Sequence, residues 1–180
     1  GPARLAEVYG VNLSPNYPYA GELISSMWQR QSGSAPNAVL ALDQRSTALL
    51  IEAVGGVTVD GITLNGANAV QFLSVGVYDK FPEPAAKDAF VTAVMGQLIK
   101  KIATGSTSPI QLVGTLASAV LERSVFVWAA DAVVQKSLAP SPIGGEVPDI
   151  AGPISMAVVN NNAGNKMDAF LYTTVKLQGG

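Results

Sequence analysis

The sequence contains neither cysteine nor histidine among its 180 residues. Without cysteine the chain can form no disulfide bond, although this leaves its cellular compartment open. Without histidine it lacks the commonest general base and the commonest metal ligand in proteins. A Ser-His-Asp triad, a Cys-His pair and a histidine-based zinc site are therefore all excluded.

Charged side chains are also scarce. They make up 13% of the sequence, against about a quarter in a typical soluble domain. The net charge of −2 offers no basic surface for nucleic acid or for an anionic membrane. The surface must instead be rich in Ser, Thr, Asn, Gln and Gly, which suits an extracellular domain or one with an extensive partner interface.

Long apolar runs are missing as well, since no stretch approaches the roughly 18 residues of a membrane-spanning helix. We recognise no signal-peptide pattern within residues 1–180, and Gly1-Pro2 looks like the scar of a protease cleavage. We therefore expect residues 1–180 to form a single domain taken from a longer protein.

A strand–helix–strand pattern spans residues 38–60 and organises the rest of the chain. The apolar run Val39–Leu42 predicts a strand, and Asp43 can cap a following helix through its carboxylate. Gly55 and Gly56 end that helix before the extended segment Val57–Val59 and a turn at Asp60-Gly61. The pattern predicts an α/β fold in which helices pack on a small central sheet.

Helical periodicity recurs on both sides of this unit. The predicted helices cover Gly21–Gln31, a segment capped by Asn65, Ala85–Ala103 as the longest, a segment from Ser108-Pro109 to near Arg123, and a short one from Asp131 to Leu138. Val125–Ala129 reads as a strand, and residues 154–177 as a C-terminal β-hairpin. Val11–Tyr19 reads as a loop in which Tyr17 and Tyr19 either pack beneath the chain or stack on a sugar, packing being favoured.

The apolar positions of these helices predict their buried faces. For the helix capped by Asn65 they are Ala69, Val70, Phe72, Leu73 and Val77, and for the longest helix they are Phe90, Val91, Val94, Met95, Leu98, Ile99 and Ile102. For the first helix the predicted buried residues are Leu23, Ile24, Met27 and Trp28. For the helix after Pro109 they are Ile110, Leu112, Val113, Leu116, Val120 and Leu121.

No motif in the sequence specifies a reaction. Gly55-Gly56 follows a helix instead of opening one, so it is not a phosphate-binding loop. Asp43 and Asp60 are better explained as cap and turn residues than as catalytic or Mg²⁺-binding acids. Lys87-Asp88, at the start of the long helix, leaves both a structural and a functional interpretation open.

The order of several segments resembles the domain of unknown function 4012, a family found in envelope proteins of actinobacteria and related bacteria. The segments are NLSPNYPYAGELISSMW, the strand that ends at Asp43, LLIEAVGGVTVDG, LNGANAV, Lys87-Asp88-Ala89-Phe90 and VVNNNAGNKMDAFL. The resemblance implies an extracellular or cell-envelope protein that is membrane-anchored at full length.

The first part of the chain also resembles the LytR–CpsA–Psr phosphotransferases, which move wall polymers from a polyprenyl-pyrophosphate carrier with Mg²⁺. Leu50-Ile51-Glu52-Ala53-Val54-Gly55-Gly56-Val57 echoes one of their segments. Two arginines that hold pyrophosphate in those enzymes fall at Ser74 and Gly76 here, and a later Arg–Gln pair falls at Lys87-Asp88. Losing the guanidinium groups removes the side chains that clamp phosphate best.

We therefore expect a non-catalytic envelope module that binds wall glycan or a surface protein, with no metal and no cofactor. One alternative is part of a glycopolymer transferase whose active site needs an absent N-terminal segment, and only that reading calls for Mg²⁺. The other is a structural surface domain. No nucleic-acid partner is expected, and membrane contact is expected only through a segment outside this chain.

The candidate binding residues are those that follow strand and helix ends: Asp43, Arg45, Asp79, Lys87 and Asp88. If an N-terminal sheet segment is missing, the chain should also expose unpaired strand edges. We expect it to form a homodimer through Val39–Leu42 or Ile154–Val159.

Overall fold

The structure is a computed structural model that describes residues 15–105 and 108–149. Its helices are α1 Tyr17–Ser32, α2 Gln44–Ala53, α3 Ala69–Gln71, α4 Val77–Lys80, α5 Pro84–Ala103, α6 Pro109–Leu121 and α7 Ala132–Leu138, with a π-helical segment at Phe72–Gly76. Its strands are β1 Ala38–Leu42, β2 Val57–Val59, β3 Ile62–Leu64 and β4 Val125–Ala129. The chain divides into two compact units, residues 42–125 and residues 1–41 with 126–180.

The predicted strand–helix–strand elements around α2 are confirmed. Asp43 caps α2, because its Oδ1 accepts the Ser46 N–H at 2.7 Å. At the other end the chain leaves the helix through Gly55 and Gly56, whose φ angles of 73° and 88° lie in the left-handed region. Glycine reaches that region without the steric cost that a Cβ brings, so the pair ends the helix as expected.

The unit 42–125 also contains a two-stranded hairpin. β2 pairs antiparallel with β3, with Val57 opposite Leu64 and Val59 opposite Ile62. Asp60 and Gly61 form the two-residue turn with φ angles of 49° and 76°, the pair of positive values that a type I′ turn requires. The turn was predicted, whereas β3 was not.

Helix α5 is the longest helix among the described residues, as predicted, and it packs on this hairpin side of the unit. It buries Phe90, Val94 and Leu98, which recur every four residues and so lie on one face. Ile99 of this helix and Val70 of α3, each predicted at an apolar face, are exposed. The rest of the core consists of fully or nearly fully buried apolar side chains from α2, the hairpin and the helices after it: Ala48, Leu50, Ile51, Val54, Val57, Val59, Leu64, Ala69 and Val77.

The other unit contains α1, the strand pair β1–β4 and α7. The Ala130 N–H bonds the Asn37 carbonyl at one end of the strand pair, and the Asp43 N–H bonds the Ser124 carbonyl at the other, so the strands run antiparallel. Tyr17 is buried and stacks on Phe126 with ring centroids 5.2 Å apart. The packing interpretation of Tyr17 is thus confirmed, whereas Tyr19 is exposed.

The prediction of a single central sheet is corrected by the structure. Among the described residues the strands form two separate two-stranded sheets, β1 with β4 and β2 with β3. The chain reverses after β2 at the Asp60-Gly61 turn, so β2 pairs with β3, the next strand in sequence, and not with β1. The coarser prediction of mixed helices and small sheets holds, and the C-terminal hairpin lies outside the described residues.

Two predicted helix details are also corrected. Helix α1 begins at Tyr17, inside the predicted loop, because proline is tolerated in the first turn of a helix and Pro18 occupies it. Its buried residues are Tyr17, Ala20, Gly21 and Ser25, while Leu23 and Trp28 are exposed. The small residues face inward because the Trp128 side chain packs directly on Gly21, where a Cβ would overlap it.

The predicted face of α6 is wrong for three residues. Ile110, Val113 and Leu121 are exposed, whereas Leu112 and Leu116 pack against the core and Ala119 is buried. The helix has apolar residues all round, so its periodicity alone does not determine which side packs on α2. Across residues 15–105 and 108–149, no helix combines the length and the hydropathy needed to cross a bilayer.

Candidate binding groove

A π-helical segment, Phe72–Gly76, interrupts the helix that runs from Ala69 to Lys80. Such segments are rare and occur frequently at functional sites. Here the segment lies beside an open groove of about 250 Å³. The described residues that line it share one side of the helix: Asn68, Gln71, Phe72, Val75, Gly76 and Asp79.

The groove owes its shape to Gly76 and Phe72. A Cβ at position 76 would lie 3.0 Å from Cδ2 of Phe72, so the ring occupies the space that a side chain there would need. Phe72 in turn packs on Phe90 with ring centroids 5.7 Å apart, and Phe90 stacks on Phe81 at 4.8 Å. Because Phe90 is fully buried, this aromatic cluster holds the Phe72 ring in place.

The polar side chains of the groove differ in whether they are already hydrogen-bonded within the fold. Asn68 is committed to the fold, because its Oδ1 accepts the Asn65 N–H at 2.9 Å and its Nδ2 donates to the Thr63 carbonyl at 3.0 Å. Gln71 and Asp79 are exposed, and neither side chain has a hydrogen-bond or ion-pair partner among the described residues. The groove thus presents one free amide and one free carboxylate around a fixed aromatic ring.

Asn65 and Asn68 hold the start of this helix. Asn65 Oδ1 accepts the N–H groups of Ala67 and Asn68, and Asn68 returns a bond to the Asn65 N–H. This reciprocal arrangement is the asparagine version of a capping box. The predicted capping role of Asn65 is confirmed for the turn that leads into α3.

Three of the predicted site residues lie near the end of α4 and the start of α5. Asp79 lines the groove, while Lys87 and Asp88 do not. The Lys87 ammonium lies 4.8 Å from the centroid of the Tyr78 ring and 3.7 Å from Asp88 Oδ1. Lys87 is therefore engaged by its neighbours in a cation–π contact and a surface ion pair.

The other two predicted residues belong to a separate cluster at the start of α2. Asp43 accepts the Ser124 hydroxyl on Oδ2 at 2.9 Å as well as the Ser46 N–H on Oδ1, so both oxygens have structural partners. Arg45 pairs with Glu122, Nε to Oε2 at 3.0 Å. The cluster joins the start of α2 to the chain after α6.

Sequence reasoning missed Gln71 and Phe72. A single glutamine carries no motif, and Phe72 reads as an ordinary core position of an amphipathic helix. Nothing in the sequence marked the π-helical segment, because positions eight apart, such as Ala69 and Val77, fall on one face of a regular helix as well. Within the described ranges, no group of three or more acidic side chains is placed to hold a metal ion.

Residues 3–78 match the family model described as "Protein of unknown function (DUF4012)". The match confirms the family resemblance over these residues, which include five of the six that line the groove and end just before Asp79. No curated protein and no solved structure matches the chain. The similarity to LytR–CpsA–Psr phosphotransferases stays a prediction.

Proposed function

We propose, starting from this DUF4012 match, that the chain is a non-catalytic module that binds glycan at a bacterial cell envelope. The observation that carries the proposal is the groove, where the free Gln71 amide and Asp79 carboxylate flank the fixed Phe72 ring. Sugar hydroxyls pair with amide and carboxylate groups, and the C–H face of a sugar packs on an aromatic ring. Binding sites commonly combine an apolar wall with a few such polar groups.

The size and openness of the groove support recognition of one sugar unit at a time. Its volume of about 250 Å³ is below the usual range for an enclosed small-molecule site, roughly 300–1,000 Å³. A glycan chain could therefore place one residue in the groove and continue along the surface. Binding of this kind is weak per site, and repetition along a polymer raises its effective strength.

The composition of the groove gives less support to an enzyme. Hydrolysis of a glycosidic bond generally uses two carboxyl groups on opposite sides of the bond. Only one carboxylate, that of Asp79, is among the described lining residues. The transferase alternative is also less favoured, because the same lining has no basic side chain to hold a pyrophosphate.

A second candidate function is contact with a protein partner through α6. Ile110, Val113 and Leu121 form an exposed apolar stripe on this helix, with exposed fractions of 84%, 67% and 79%. The helix contains no charged residue. Apolar patches of this kind on a surface commonly mark interaction sites.

Glycan binding can be tested by titrating the intact chain with N-acetylglucosamine oligomers and with a soluble digest of wall glycan. Chemical shifts of the Gln71 side-chain amide and calorimetric heats report binding. Gln71→Ala should weaken it by about fivefold, the loss of one hydrogen bond. Gln97→Ala, at an exposed glutamine on α5, is the matched control and should bind like the parent.

Failure of the parent chain to bind any of these glycans would overturn the proposal. Equal weakening by Gln71→Ala and Gln97→Ala would place the contact outside the groove. Each variant keeps an exposed position and a helix-compatible residue, so a change in folding should not obscure either result.

A further inference from the structure

We infer that the sugar unit bound in the groove carries a free amino group, as a de-N-acetylated amino sugar does. This inference rests on the proposed glycan-binding function and specifies the chemistry of its ligand. It follows from the charge of the groove, the contacts that the neighbouring lysine side chains make elsewhere, and the position of the Phe72 ring.

The groove carries one unneutralised negative charge. Asp79 is the one charged residue among the six described lining residues, and it is exposed with no ion-pair partner among the described residues. An ammonium group placed in the groove would gain the attraction of this carboxylate. A phosphate or a uronate would instead meet a like charge, which disfavours anionic ligands.

The nearby lysines do not supply the missing positive charge. Lys87 faces Tyr78 and Asp88, and it is not among the lining residues. Lys80 follows Asp79 by one position, so it lies about 100° further around the helix. The carboxylate of Asp79 therefore stays available to a cation that comes from outside.

The Phe72 ring adds a second attraction for a cation. It lines the same groove as Asp79 and is held by Phe90, so its position is set before a ligand arrives. Aromatic faces attract ammonium groups, and the contact of Lys87 with Tyr78 shows the same chemistry a few residues away. An amino sugar offers a partner to each of the three groups, its ammonium to the carboxylate and the ring and a hydroxyl to Gln71.

The test compares glucosamine oligomers with N-acetylglucosamine oligomers of equal length on the intact chain, at a mildly acidic pH where the amine is protonated. The unacetylated oligomer should bind at least about tenfold more tightly, and added salt should reduce the difference. Asp79→Asn should abolish the preference, while Glu83→Gln, which removes an exposed acid outside the groove, should retain it.

The outcomes separate this inference from the proposed function. Equal binding of the two oligomers would overturn the amino-group inference and leave glycan binding intact. Binding of neither would overturn both. Tighter binding of a lysine-containing peptide than of either oligomer would assign the cation to a protein, and so would overturn the amino sugar. Preservation of the preference in Asp79→Asn would show that this carboxylate does not recognise the amine.

Discussion

The Ser124 hydroxyl donates a hydrogen bond of 2.9 Å to Asp43 Oδ2, although 81 positions separate the two residues. Asp43 also caps α2 through Oδ1, and the buried Ser46 hydroxyl donates to the Ser124 carbonyl at 2.9 Å. One carboxylate therefore ends a strand, starts a helix and fixes the chain that follows α6. This explains why Asp43 is a structural residue despite its position after a strand.

Replacing Asp43 should accordingly cost more than replacing an isolated cap. We expect Asp43→Ala to lower the free energy of unfolding by about 2 kcal/mol, the upper end for a helix cap. Asp131→Ala is the control, because Asp131 caps α7 through the Val133 and Val134 N–H groups and has no such distant partner within the described ranges. Urea unfolding monitored by circular dichroism measures both, and equal losses would contradict the tertiary role of Asp43.

Gly55 and Gly56 provide a second matched pair. Both have positive φ, but a Cβ at Gly56 would lie 3.0 Å from the Leu64 carbonyl oxygen. No atom of the residues that the structure describes, chain neighbours aside, lies within 4 Å of a Cβ at Gly55. Gly55→Ala should cost only the backbone strain, about 1 kcal/mol. Gly56→Ala should cost more, because the hairpin must also move. Thermal unfolding of the two variants measures both losses of stability. A smaller loss for Gly56→Ala than for Gly55→Ala would contradict the structure.

Lys101 is predicted to stabilise the end of α2. Its ammonium donates to the Gly56 carbonyl at 2.6 Å and to the Val54 carbonyl at 3.4 Å, and both carbonyls lie just beyond Ala53, the last residue of α2. Lys101→Met should therefore lower stability by roughly 1–2 kcal/mol. Lys100→Met, at an exposed neighbour on α5, should have little effect in the same urea titration. Equal effects would show that the two contacts are not formed.

Tyr17 should make stability depend on pH in alkaline solution. Burial raises the pKa of the Tyr17 phenol from 10.0 to about 12. A pKa that is higher in the folded state favours folding below pH 10, and this contribution should be lost as pH rises from 10 to 12. Absorbance titration should show the last tyrosine ionising near the upper limit, and Tyr17→Phe should remove that step. A Tyr17→Phe variant with an unchanged titration would contradict this assignment.

Association of the chain stays a prediction, and the structure narrows where it should occur. The outward N–H groups of β4 are covered, since Val127 donates to the Ile143 carbonyl and Ala129 to Gln135 Oε1. Among the candidates that the structure describes, the outer edge of β1 is the one left for a second chain. Leu40→Lys, at a half-exposed residue of β1, should reduce the apparent mass in light scattering.

Val133→Lys is the control for that experiment, because Val133 is an exposed apolar residue of α7 and lies outside the strands. It should leave the apparent mass unchanged. A parent chain that stays monomeric at high concentration would contradict the prediction of a homodimer.

Local features of the fold could be predicted because single residues determine them. A carboxylate at Asp43 can cap only the helix that follows it, and Gly55-Gly56 permit a backbone that other residues resist. The Asp60-Gly61 turn could also have predicted β3, the strand that sequence reasoning missed. Asp-Gly between Val57-Thr58-Val59 and Ile62-Thr63-Leu64 is a strong hairpin pattern, since both segments alternate in polarity.

Features that depend on distant contacts could not be predicted in this way. Which face of α6 is buried is set by α2, and which face of α1 is buried is set by Trp128 against Gly21. The candidate site shows the same division. Asp79 was predicted from its position after a helix. Gln71 and Phe72 could be assigned to the site only from the structure, in which they line the same groove as Asp79.

That segment also determines the rotational phase of everything that follows it. Val77 comes eight positions after Ala69, so in a regular α-helix the two would point roughly 80° apart. Both are buried, with exposed fractions of 0% and 1%, and the wider turn of the π-helical segment brings them closer in phase than that angle. The groove therefore lies along a stretch of helix with one inserted residue, which shifts the phase of the residues after it while both anchors, Ala69 and Val77, stay in the core.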